Sequence, residues 1–273
     1  MKRGQNRMQV FWRELKTNRK SLLVWTIALA ALVVLMMSIY PTFRQDTLDL
    51  DALLEYYPEA FSKIFGLDEL SMAEPLGFYA TEAYFMNILF GSLYAAILGA
   101  SILTKEEDDK TIEFLLARPL SRNRMLANKL LAILVILALF NIGIGLATFV
   151  SFAVFDVGDY SSTTLLGLVI APFFVHLTFA GLAFCLSLFF SRRKTATSMG
   201  IGMAIGLYFV NVLATLSDTF TSLQYLTPYY YADAVYIVNN GSLHTVNTLV
   251  LIGVVIIAAA ASFLIYNRRD ITV

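Results

Sequence analysis

Residues 160–217 read YSSTTLLGLVIAPFFVHLTFAGLAFCLSLFFSRRKTATSMGIGMAIGLYFVNVLATLS, and the charges in this stretch decide the fold. Residues 160–191 and 195–217 contain no Asp, Glu, Lys or Arg, and Arg192, Arg193 and Lys194 separate the two runs. A bilayer core about 30 Å thick takes about 20 apolar residues per helix. Each run has that length, so the pair reads as a membrane hairpin with a basic turn. Membrane strands would show alternating segments of about ten residues, and none is present.

Working outward, residues 83–104, 130–155 and 234–267 are also free of these charges, and a further run lies between Lys20 and Arg44. The expected spans are 21–40, 83–104, 130–154, 165–190, 195–217 and 246–266. Over the whole chain of 273 residues, 58% are hydrophobic and 15% charged, whereas soluble domains run near 45–50% and about 25%. A soluble chain must wet one face of nearly every element. The pattern therefore excludes a globular soluble domain, a disulfide scaffold and a disordered chain. The fold class is an all-α polytopic membrane protein. The first apolar run is too long for a cleavable leader, so it reads as a span.

Net charge is zero, with 20 basic and 20 acidic residues, and nothing in that balance points to nucleic acid. Its distribution carries more information. Eighteen of the twenty Lys and Arg fall in the head (residues 1–20), the 105–129 loop, the 191–194 turn and the tail, while the alternate loops hold only Arg44 and Lys63. By the positive-inside rule both termini are expected in the cytoplasm.

In the head, Met8, Phe11, Trp12 and Leu15 recur at i, i+3, i+4 and i+7. That spacing predicts a basic amphipathic helix over 1–20, lying in the headgroup layer with Phe11 and Trp12 as anchors, before the chain turns into the first span. The loop TKEEDDKTIEFLLARPLSRNRMLANKL (104–130) begins with four acidic residues suited to a helix N-terminus. It continues with an apolar face of Ile112, Leu115 and Leu116, and Pro119 ends the helix. Ser121 is placed to cap the following helix, with Arg122, Arg124 and Lys129 at headgroup depth. The residues alone fit a docking element or a plain interfacial helix. Residues 218–245, rich in Tyr and broken by Pro228, are expected on the outside, able to dip into the membrane without crossing it.

Chemistry is sparse. No Gly is followed by Lys, so a Walker A phosphate loop is impossible, and the single Cys185 and two histidines, His176 and His244, make no metal-binding spacing. No catalytic residue and no metal site is expected. A proton-driven carrier usually needs carboxylates or bases within its spans, and apart from His176 these spans offer none. Small residues suggest close helix packing, with Gly202 and Gly206 forming GxxxG. The polar groups placed to face a substrate pathway or dimer seam are Asn87, Ser92, Tyr94, Ser198, Asn211 and Thr215.

Taken together, the chain resembles the membrane subunit of an ATP-binding cassette transporter of the type-2 exporter class. The most specific match lies in residues 106–122, where that family carries an acidic pair, Gly-Thr, Glu, a leucine pair, Pro and Ser-Arg. Glu106, Glu107, Thr111, Glu113, Leu115, Leu116, Pro119, Ser121 and Arg122 fit, and Lys110 replaces the Gly. Leu226, Thr227, Pro228 and Tyr229 resemble the family's Ser-Pro-aromatic segment. The resemblance implies a coupling helix over 105–122, Arg118 included, seated on a separate cytoplasmic ATPase. It also implies two ATPases and a second six-span subunit, identical or homologous, embedded in membrane lipid. ATP and Mg would then sit on the partner, with no cofactor in this chain. The competing expectation is a membrane scaffold or sensor that recruits a cytoplasmic partner through the same helix. Charge reversal at Glu106 and Glu107, or at Glu113, is expected to uncouple ATP hydrolysis from transport and leave membrane insertion intact. Unchanged transport in a reconstituted assay would overturn that assignment.

Overall fold

A computed structural model describes residues 8–45, 58–108 and 121–268. No strand occurs among them. Six helices are long and apolar enough to cross a membrane. In chain order the helices are α1 (Gln9–Gln45), α2 (Glu59–Phe65), α3 (Pro75–Phe78), α4 (Phe85–Asp108), α5 (Arg122–Val154), α6 (Ser162–Ser187), α7 (Arg193–Leu216), α8 (Ala234–Asn240) and α9 (Thr245–Arg268). A π-helical stretch, Tyr79–Tyr84, joins α3 to α4, so the second span begins at Pro75 and not near residue 83. Proline suits that first position, because its missing N–H would have no helical partner there.

α4 is the central helix. Its broadest packing is against α6, and α7 lies along another side; α1 packs on α5, and α9 on α6. Gly99 permits the α4–α6 approach: a Cβ there would lie 2.2 Å from the Ala180 carbonyl oxygen. α1, α7 and α9 leave most of their apolar surface uncovered, as lipid-facing or partner-facing helices do.

Two expectations change. The described part of the head is not a separate helix, since α1 runs unbroken from Gln9 to Gln45; residues 1–7 lie outside the described residues. At 1.5 Å per residue that is about 55 Å, well beyond the bilayer core of about 30 Å, so its basic first turns extend past the core as part of the span. The predicted apolar face is also divided. Phe11 is buried with Val10, while Met8 and Trp12 are exposed. The inward face follows Val10, Phe11 and Glu14, because α1 is held by charge as well as by apolar contact.

Residues 218–245 do not cross the bundle. They form 3-10 turns at Asp218–Leu226 and Tyr230–Ala232, followed by α8. The Tyr229 hydroxyl donates to the Ala204 carbonyl at 3.2 Å, and its ring lies 5.0 Å from Phe179. Ala204 is roughly 18 Å along α7 from Leu216 at the helical rise. The chain then returns to the end it left, where Gly241, at φ +70, ends α8 beside Thr164. Tyrosines fasten this end: Tyr84 donates to the Ala232 carbonyl and Tyr40 to the Ala73 carbonyl, both at 2.6 Å.

Gly99→Leu should force α4 from α6 and lower stability by about 1–3 kcal/mol, the usual scale of overpacking. Gly253→Ala, with nothing within 4 Å of the new methyl, should leave the melting temperature unchanged or slightly raised. Thermal unfolding of the purified chain, followed by size-exclusion fluorescence, distinguishes the two.

Candidate functional site

At the basic end of the bundle, five charged side chains from three helices meet. Glu14 comes from α1, Lys105 and Glu106 from the last turns of α4, Lys129 from the start of α5, and Arg13 reaches in from α1. Glu14 and Lys129 are 0% exposed and Glu106 is 3% exposed. The Lys129 ammonium donates to Glu106 Oε2 at 2.7 Å, to Glu14 Oε1 at 3.3 Å and to the Ile102 carbonyl. An ammonium has three N–H donors, so all three are used. Lys105 donates to the other oxygen of Glu14. Arg13 pairs with Glu106 and lies 3.4 Å from Glu14. The buried members balance, two ammonium groups against two carboxylates, and the half-exposed Arg13 closes the solvent side.

This cluster brackets the loop expected to carry the coupling helix. Lys105 and Glu106 lie before it, and Lys129 follows it. Thr111, Glu113, Leu115, Leu116, Arg118 and Pro119 lie outside the described residues, as does the Glu107 side chain. Glu106 is therefore an inward partner of Lys129 and Arg13 and not a free contact on the surface. Charge reversal there would disrupt the junction itself. Lys129 is likewise not a headgroup anchor. Ser121 occupies the N-cap of α5 but makes no side-chain capping bond; only its carbonyl engages the helix, accepting from Met125 N at 3.1 Å. Arg122 lies 3.5 Å from the Tyr266 carbonyl and ties α5 to α9. Sequence reading missed Glu14. The available signal was its isolation, as the lone carboxylate in residues 1–45.

Halfway along the bundle, His176 joins α4, α5 and α6. Its Nδ1 is 3.1 Å from Asn141 Oδ1 and its Nε2 3.2 Å from the Asn87 carbonyl. Gly91 lies directly beneath the ring, where a Cβ would meet Nε2 at 2.3 Å. These contacts make a polar knot between helices. Asn87, Ser92 and Tyr94 are buried inside the subunit, Tyr94 stacking on Trp25 at 5.6 Å.

At the far end lies a cavity of about 540 Å³ between α4, α7, the 63–70 turn and the 218–235 segment. Of the expected pathway residues, Asn211 and Thr215 line it; Asn87, Ser92, Tyr94 and Ser198 do not. Asn211 accepts from Thr227 Oγ1 at 2.8 Å. Asp233 opens onto this cavity, where it caps α8 through Val235 N at 3.0 Å. Protein on its other sides removes water, and this, with the nearby Glu69 charge, raises its carboxyl above the usual range. No group of His, Cys, Asp and Glu among the described residues could hold a metal ion.

The family described as ABC-2 family transporter protein matches residues 8–271, nearly the whole chain. The chain belongs to that family. This ABC-2 permease is thus a multi-pass membrane protein and a membrane component of an ATP-binding cassette transporter. Such a permease works with an ATP-binding partner in general. No curated protein matches the chain.

Removing one member of the cluster in the permease leaves the others buried and uncompensated, which costs about 3–5 kcal/mol. Glu14→Gln and Lys129→Met should each lower thermal stability on that scale. The double variant should lose clearly less than the sum, because both changes act on one pair. Strict additivity in unfolding measurements would show that the pair is not coupled.

Proposed function

We propose that this chain forms the substrate pathway of an exporter as a dimer, with each copy driven by a separate cytoplasmic ATPase seated on residues 105–122. The basic end faces the cytoplasm, with both termini there. The observation that carries this reading is the buried cluster around Glu14, Glu106 and Lys129. It gives the two stems of one short loop a rigid attachment to a third helix. A push on that loop therefore moves α4, α5 and α1 together. Hydrolysis belongs to the partner, because this chain has no Gly-Lys step with which to build a phosphate loop. ATP and Mg bind there.

The dimer reading is supported by α7. Gly202 and Gly206 share one face, and nothing lies within 4 Å of a Cβ added at either. A small-xxx-small face lets a second helix approach closely. Exporter direction rests on the resemblance in residues 106–122 and on the cavity at the end away from the basic loops.

Copurification from the native membrane, followed by an ATPase assay, tests partner and energy source together. A nucleotide-binding subunit should accompany the chain, and Glu113→Lys should reduce ATPase recruitment or substrate-stimulated turnover several-fold without loss of membrane insertion. Failure to recruit any nucleotide-binding subunit would favour the scaffold or sensor reading instead.

A further inference from the structure

The far-end cavity has the size of a small-molecule site, since such pockets run from about 300 to 1,000 Å³. One wall is a connected series of aromatic rings. Phe65 lies 5.0 Å from Phe85, Phe85 lies 5.9 Å from Tyr208, and Tyr208 lies 5.9 Å from Tyr229, all four lining the space. The neutral polar groups of the lining are largely used within the protein: Tyr84 bonds Ala232, Tyr229 bonds Ala204, and Asn211 bonds Thr227.

Four carboxylates join them in the lining. Asp68, Glu69, Asp218 and Asp233 all line the cavity, and among the described residues none of them forms an ion pair. Among the described residues, Lys63 is the one basic side chain in the lining; Glu59 holds it at 2.7 Å, and the Asp218 and Asp68 charges act on it more weakly. An anion entering this space would meet a negative excess, four carboxylates against one lysine. A hydrated inorganic cation would gain little from an aromatic wall, whereas a cation with an apolar body gains from ring faces and carboxylates together.

We propose that this cavity binds an amphipathic organic cation, with its positive centre among Asp68, Glu69, Asp218 and Asp233 and its apolar body against Phe65, Phe85, Tyr208 and Tyr229. Binding requires only this chain. Its use as a transport site rests on the permease reading above.

The test is binding of radiolabelled tetraphenylphosphonium to the full chain in zwitterionic lipid nanodiscs, with empty discs subtracted. Saturable binding is expected, weakened several-fold by raised salt and displaced by other hydrophobic cations but not by tetraphenylborate. Asp218→Asn combined with Asp233→Asn should raise the Kd at least tenfold. Asn retains capping ability at position 233, and an unchanged size-exclusion profile checks the fold. Asp68→Asn with Glu69→Gln should act in the same direction. No saturable signal, equal displacement by the borate, or unchanged affinity in both double variants would overturn the proposal. Running the ATPase copurification on the same preparation separates the two readings. Cation binding without a recruited ATPase keeps the site and removes the transporter assignment, and recruitment without cation binding does the reverse.

Discussion

Everything at the basic end depends on the contact of Lys129 with Glu14 and Glu106 in a place closed to water. An isolated ammonium at that depth would be expensive, and so would either carboxylate. Each charge is tolerated because the others are present, and they come from three different helices. Neither the end of α4 nor the beginning of α5 can therefore shift alone relative to α1. The intervening loop is short, and both of its stems are anchored in one charge cluster.

α4 carries that constraint along the molecule. Lys105 and Glu106 lie at one end, Gly91 packs under His176 near the middle, and Tyr84 and Phe85 line the cavity beyond. From Lys105 to Tyr84 is roughly 30 Å at the helical rise. Contacts along the helix allow little slack, because Gly99 touches the backbone of α6 directly and the His176 ring fills the space above Gly91. Under the proposed coupling, a displacement at the loop would reach the cavity as rigid motion of a packed helix, since close-packed interiors transmit strain.

The spans were legible because a charge-free run of bilayer length suits little besides a membrane helix; 195–217 lies within two residues of α7 at both ends, and 130–155 ends within one residue of α5, which starts eight residues earlier in the basic loop. The division of α1 was not legible. Periodicity placed Trp12 with Phe11, but the choice of inward face was made by Glu14, whose partners lie 91 and 115 residues away in sequence. No local pattern carries that distance. Lys129 looked like one more headgroup lysine for the same reason. The far-end cavity was partly legible, through Asn211, Thr215 and the tyrosine-rich segment. Its carboxylates were read only as bulk charge, because Asp68 and Asp233 meet only when residues 218–235 fold back between α6 and α7.

A buried balanced charge cluster adds little stability compared with well-packed apolar side chains, and replacements of that kind are often neutral or stabilising. Stability is thus a poor reason for placing one at the two stems of the 109–120 loop. Register is a better reason. Apolar side chains at these positions would hold α1, α4 and α5 through contacts that tolerate sliding. Ion pairs fix register, because each donor has one geometry that satisfies it. The same charges therefore hold α1, α4 and α5 in one register, so that the three helices move as a unit.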